Sequence, residues 1–380
     1  MTRPAGHLAL SLSGGGARAA YQVGLLRCLA HHYPDLRPHV ITGVSAGAIN
    51  AVCLAAHPGG FAAATERLAD LWGRLTVDRI FRTDAVSLLG HLLRWGIRLV
   101  SGGGALAPEV RGLVDTQPLR ELLRRELAAG PSGEIPGIAE NLESGRLGGI
   151  ALTTSNLGTG QSITWVQGCR IEGWERPDRR SRKARLTVEH VMASAALPAF
   201  FPAVAVDGGW HADGGIRLTA PLSPAMHLGA TRILAVSTRH HRSFDEADRS
   251  AVRGYPPPLQ LASQLLNAIF VDVLDQDALR VERTNALLRR LPPEERCGMQ
   301  PVELLVIRPS RDLAMLASDF EVDLPWFFRH LVRSLGSRET ASPDLLSLLM
   351  FQAPYLQRLM ALGEEDAEAE AEAIAALVEG

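Results

Sequence analysis

The chain has 380 residues, is 46% hydrophobic and carries a formal net charge of −2. That length and apolar content predict one large domain with an appendage rather than several small ones. The near-neutral balance excludes a global electrostatic pull toward nucleic acid, and the four dispersed cysteines, Cys28, Cys53, Cys169 and Cys297, form neither a zinc pattern nor a disulfide framework.

In chain order, Leu8 to Leu12 is a short apolar stretch that runs straight into glycines without a cleavage pattern, so it reads as a strand and not as a signal peptide. No run of about 18 uninterrupted apolar residues occurs, so no membrane-spanning helix is expected. With reduced thiols, the expected location is cytoplasmic, with a peripheral place at the inner membrane as a second.

The strand meets Gly14-Gly15-Gly16-Ala17-Arg18, and Ala19 to His31 then repeats apolar residues at helical spacing. Two readings compete for this glycine loop. Gly14, Gly16 and Ala19 satisfy the dinucleotide fingerprint, with Asp35 at the right distance; but Asp35 precedes the second strand, where a ribose-binding acid belongs at its end. The other reading is an oxyanion hole, in which consecutive N–H groups at a helix start face a reacting carbonyl oxygen and Arg18 adds positive charge.

Val40 to Asn50 carries the sequence's most informative pattern, a β-branched run, then Gly43-Val44-Ser45-Ala46-Gly47, then small helix-compatible residues. A serine in a tight strand-to-helix turn projects its hydroxyl where N–H groups and the helix dipole favour negative charge. Gly43 and Gly47 supply the room. A glycine-rich turn with an incidental serine is the alternative.

Residues 79–100 interleave apolar side chains with Arg79, Arg82, Arg94 and Arg98 and end at Gly102-Gly103-Gly104. An amphipathic basic helix there would cover a site or rest on lipid, unless it simply packs on the core. Leu113 to Ala129 reads as a helix capped by Asp115 or Thr116 before Pro118, and 150–154 with 161–166 as a hairpin-like strand pair. The basic stretch 176–185 reads as a solvated loop, with contact to anionic headgroups as a second use. Val188 to Leu197 is a helix stopped by Pro198.

Two similar tripeptides follow, Asp207-Gly208-Gly209 and Asp213-Gly214-Gly215. The first lies between two short apolar stretches, as a hairpin turn would. The second ends the returning strand, so Asp213 is expected to project toward a cleft. Further strands are read at 231–237 and 302–307, helices at 259–291 and 312–362, and a frayed or disordered acidic tail over 363–380.

The glycine loop from Ser13 to Arg18, the Gly43–Gly47 elbow, Ala193 to Pro198 with Phe201-Pro202, and Asp213-Gly214-Gly215 together resemble the patatin-like phospholipase family. The resemblance covers about residues 7–237 and the strand near 302–307. It implies an α/β fold of three layers, α/β/α, with a mainly parallel central sheet, in a domain of residues 1–310 followed by a helical extension over 311–380. It also implies a Ser–Asp dyad with Ser45 as nucleophile and Asp213 as proton acceptor. The backbone of Gly14, Gly15 and Gly16, with Arg18, would form the oxyanion site, and Gly214 and Gly215 would complete the DGG motif. The chain departs from the family at Ala19, usually glycine, and at Thr219, often asparagine.

The expected substrate is a fatty-acyl ester of a lipid or phospholipid, with no cofactor, no metal and no nucleic acid, and with peripheral membrane contact through 79–100 and 176–185. An ordinary α/β-hydrolase would need a late histidine instead, and His227, His240, His241 and His330 are the candidates, none in a distinctive context. From other classes, the alternatives are a nucleotide-binding protein using Gly14–Ala19 and a catalytically silent lipid-binding regulator.

Overall fold

The computed structural model describes residues 7–82, 112–168, 173–198, 200–241, 246, 248, 273–320 and 344–380. Most of the 79–100 stretch and parts of the helices expected at 259–291 and 312–362 lie outside these residues.

Ten strands form one sheet: β1 Leu8–Leu12, β2 Val40–Val44, β3 Gly149–Asn156, β4 Ser162–Gly168, β5 Glu175–Arg176, β6 Arg179–Lys183, β7 Val204–Val206, β8 Gly209–Asp213, β9 Arg232–Val236 and β10 Glu303–Ile307. The main order is β10-β9-β1-β2-β3-β4-β6-β5, and the run from β10 to β3 is parallel throughout. Successive side chains of a strand face opposite sides, and here both sides are covered. Leu8, Leu10 and Leu12 enter the larger core, whereas Ala9 joins Val40, Ile233 and Ala235 in the smaller core beneath Leu274, Ala278 and Val281. Among the described helices are α1 Ala20–His32, α2 Ala46–Ala56, α3 Gly60–Gly73, α4 Gln117–Glu126, α5 Val188–Ser194, α6 Val273–Leu288, α7 Ala353–Ala369 and α8 Ala371–Glu379. None of the described helices is long and apolar enough to cross a membrane.

The expected hairpin at 150–166 is the antiparallel pair β3–β4. Residues 176–185 differ from the expected loop, because Arg179–Lys183 forms a strand parallel to β4. Its arginines are half-buried, with pairs such as Arg180–Glu175 and Arg182–Asp207, and Lys183 is exposed. Of the two readings of the tail, a frayed helix or disorder, the structure shows helix: 363–380 completes α7 and forms α8. Leu356, Leu359, Leu362, Ile374 and Leu377 are buried in the same core as α1, so the helices beyond residue 310 share that core rather than hanging from it.

The position of the site follows from register. On one edge of β3, β2 pairs as far as Val44 opposite Thr153, and β8 takes over at once with Asp213 opposite Thr154. The ends of β2 and β8 therefore abut, and the residue after Val44 meets the last residue of β8.

Candidate active site

That residue is Ser45. It turns the chain from β2 into α2 with φ 57° and ψ −130°, a left-handed backbone that non-glycine residues rarely adopt. Ser194 on α5 holds the turn, its hydroxyl accepting from the Ser45 N–H at 3.0 Å while donating to the Thr153 carbonyl at 2.7 Å. Gly47 passes so close to the Leu12 and Ser13 carbonyls that a side chain there would overlap them, and Gly43 is packed in the same way against the backbone of Gly47 and Ala48.

Asp213 is fully buried. Burial pushes its carboxyl up to about 7, against the opposing effects of the Ser45 hydroxyl and the Gly215 N–H, which donates to Oδ1 at 2.8 Å. Oδ2 has no hydrogen-bond partner among the described residues. Gly214 has no room for a side chain beside the Thr153 carbonyl, so the turn after Asp213 stays tight against β3.

The glycine loop closes the other side. A Cβ on Gly14 would lie 3.0 Å from the Ser45 Cβ, and Gly15 and Gly16 adopt φ 152° and 54°. The N–H groups of Gly14, Gly15 and Gly16 meet no acceptor among the described residues. Their carbonyl sides, in contrast, are clamped. Gln22 Nε2 donates to the Ser13 carbonyl at 2.8 Å and Thr238 Oγ1 to the Gly14 carbonyl at 2.6 Å. In a trans peptide the N–H points opposite to the C=O, so these two contacts orient the N–H groups of Gly14 and Gly15. Gln22 is itself held by Asn50, which accepts from Trp72, in a buried and mutually satisfied chain.

The structure brings Ser45, Asp213 and the three glycines together. Arg18 is buried, and its Nε donates to Ser347 at 2.7 Å. Asp35 lies exposed in the turn entering β2, at the opposite end of that strand from the elbow, and the Leu348 carbonyl presses on Gly16. Neither feature suits a bound dinucleotide.

Histidines stand apart. His211 bonds Thr154 and Asn156, His190 caps its own helix through Thr187, and burial lowers the pKa of both, that of His190 to about 4. His227 stacks on Trp174 and His240 bonds the Pro309 carbonyl. No described histidine hydrogen-bonds Ser45 or Asp213. Of the other late candidates, His241 is exposed and His330 lies outside the described residues.

An apolar cleft opens from Ser45 and Asp213. Its walls come from α2, α3, α4 and the C-terminal helices, including Ile49, Trp72, Leu122, Leu123, Leu348 and Phe351. Reading the sequence alone missed Gln22, Ser194 and Thr238 as parts of the site. Ser194 lies inside a recognised motif, and Thr238 follows a parallel strand's C-terminal end, where side chains reach a site; Gln22 carried no comparable signal.

A sequence model described as Patatin-like phospholipase matches residues 10–226. Comparison with curated proteins gives no significant match. Among solved structures, VipD from Legionella pneumophila is 12% identical with a TM-score of 0.38, covering 96% of this chain and 67% of its own. The type III effector ExoU of Pseudomonas aeruginosa is 16% identical, TM-score 0.36, covering 98% and 53%. Human GIVD cytosolic phospholipase A2 bound to methyl gamma-linolenyl fluorophosphonate is 13% identical, TM-score 0.47, covering 98% and 59%. This chain thus spans between 53% and 67% of the length of those three. The family match takes in the glycine loop, the serine elbow and the Asp213-Gly214-Gly215 turn in one stretch, and the chain belongs to the patatin-like phospholipase family.

Proposed function

We propose that the protein is a lipid acyl hydrolase working through Ser45 and Asp213. The observation that carries this is the abutment of β2 and β8, which sets the strained serine against a buried aspartate at the mouth of an apolar cleft. An aspartate at its ordinary pKa of about 3.9 is a poor base for a serine hydroxyl, and a carboxyl near 7 is a far better one.

In this reading the acyl chain lies in the cleft with its ester carbonyl over Gly14–Gly16. The Ser45 oxygen attacks the carbonyl carbon as its proton passes to Asp213. The N–H groups of the glycine loop stabilise the oxyanion. Collapse expels the alcohol of the lipid, which takes the proton from Asp213 and leaves an acyl-serine. Water then attacks the acyl-serine, its proton passing by Asp213 back to the Ser45 oxygen, and the fatty acid leaves.

Labelling by a fluorophosphonate probe, with fatty-acid release from phospholipid vesicles, tests the reading. Wild type is expected to label and release, and Ser45→Ala and Asp213→Ala to do neither. A folded wild type that does neither would refute it.

A further inference from the structure

The rim above the site carries two large exposed apolar side chains on neighbouring backbones. Leu157, in the turn between β3 and β4, is 53% exposed and Trp210 on β8 is 54% exposed. The Leu157 N–H donates to the Trp210 carbonyl at 2.8 Å, tying the two segments together. Asp213 pairs with Thr154, and Trp210 and Leu157 each lie three residues further along β8 and β3. At a strand rise of ~3.3 Å per residue, both stand about 10 Å beyond the catalytic level.

Arginines border the same rim. The Pro177-Asp178 turn between β5 and β6 is joined to it by bonds from Gln161 to the Pro177 carbonyl and from the Ser162 N–H to the Asp178 carbonyl. Arg176 and Arg179 flank that turn, and the Arg217 guanidinium lies against Gly160 in the β3–β4 turn. Burial, then the charges of Arg176 and Arg179, depress the pKa of His227 nearby.

A single exposed leucine is ordinary on a protein surface. A tryptophan and a leucine at the outer edge of paired strands, bordered by guanidinium groups, have a more specific use. Tryptophan favours the boundary between headgroups and acyl chains, and arginine binds phosphate oxygens in a bidentate fork. We propose that this rim seats the protein on an anionic phospholipid bilayer, with Trp210 and Leu157 entering the interface and Arg176, Arg179 and Arg217 meeting phosphates. The surface rests on the acyl-hydrolase reading of the cleft, the backbone of the rim standing about 10 Å beyond the level of Ser45 along the strands.

The test is co-flotation of the Ser45→Ala protein with vesicles of phosphatidylcholine alone or mixed with phosphatidylglycerol. Binding to the mixed vesicles is expected, falling with added salt. Trp210→Ala with Leu157→Ser should weaken it by about tenfold or more, and Arg176→Gln with Arg179→Gln should remove the preference for phosphatidylglycerol. Leu157→Ser alone, in an exposed turn, serves as the mildest variant and should lower binding in the same direction. In the Ser45 background, turnover of a soluble short-chain ester by the Trp210 and Leu157 variants is expected to equal that of wild type. Unchanged flotation of the double variant would overturn the surface. Flotation that depends on Trp210, from a protein that turns over no ester, would uphold the surface and overturn the catalytic reading.

Discussion

Asp213 is a carboxyl held where burial opposes ionisation. Its carboxyl sits near 7, so activity is expected to rise with pH through about 7, as the base becomes available, and a pH–rate profile on a soluble ester checks this. The stability consequence has the opposite sign. Between the unfolded value near 3.9 and the folded value near 7, the native state binds more protons than the unfolded one, so stability falls as pH rises across that window. Asp213→Asn keeps an acceptor for the Gly215 N–H and removes the buried charge. It should therefore be inactive yet more stable than wild type at pH 8, by on the order of a few kcal/mol, with the gap closing below about pH 4. Thermal melts across pH decide the point. Thr238 is a positioning residue: its hydroxyl fixes the Gly14 carbonyl and hence the direction of the next N–H. Thr238→Val should lower kcat by about 10- to 100-fold with KM little changed, and Thr238→Ser should restore most of it. The serine elbow and the Asp213 strand end were legible in the sequence because each sits in a short local motif. Gln22, Ser194 and Thr238 were not, because they reach the site from elements distant in the chain, and pairing of that kind has no local pattern.

At the scale of elements, the seam between α1 and α7 ties the N-terminal motif to the C-terminal helices. Gly24 and Gly363 let the backbones touch, as a Cβ on Gly24 would overlap the Met360 carbonyl and one on Gly363 the Tyr21 carbonyl. Tyr21 donates to Asp366 at 2.9 Å, and Arg27 pairs with Glu364. The Arg232 guanidinium bonds the Leu377 and Val378 carbonyls, closing the end of α8 onto β9. Gly363→Val must separate the two helices and is expected to destabilise the fold by about 1–3 kcal/mol or more, read from denaturant unfolding. Labelling of Ser45 should weaken with it, because α1 carries Gln22 and the helices after residue 343 press on Gly16. The sequence left this tail as a frayed helix or disordered, since composition weighs Glu and Ala and takes no account of a glycine that admits another helix's backbone. The parallel strands were legible for the opposite reason, as each is a short, nearly uninterrupted apolar run bounded by turn residues.

Across the whole molecule, the sheet divides two environments. One face carries the smaller core under α6, and the other the larger core in which the cleft is hollowed. Because α4 contributes Leu119, Leu122 and Leu123 to the cleft while bearing neither Ser45 nor Asp213, the proposed function assigns the room for an acyl chain and the chemistry to different elements. The two are therefore separable by substitution. Leu122→Trp adds bulk to the wall without touching Ser45, Asp213 or the glycine loop, and such overpacking costs about 1–3 kcal/mol, which a melt reports. Each excluded methylene of the substrate forfeits roughly 0.8 kcal/mol of burial, so a chain shortened by two or three groups loses about 10- to 60-fold in kcat/KM. Comparing a butyrate ester with palmitate and oleate esters of the same alcohol should show a selective loss for the long chains. The rate of labelling by a small fluorophosphonate is expected to stay near wild type. Equal loss for all chain lengths would instead mean that the wall also positions the catalytic groups, which would move Leu122 from substrate fit to the support of the dyad.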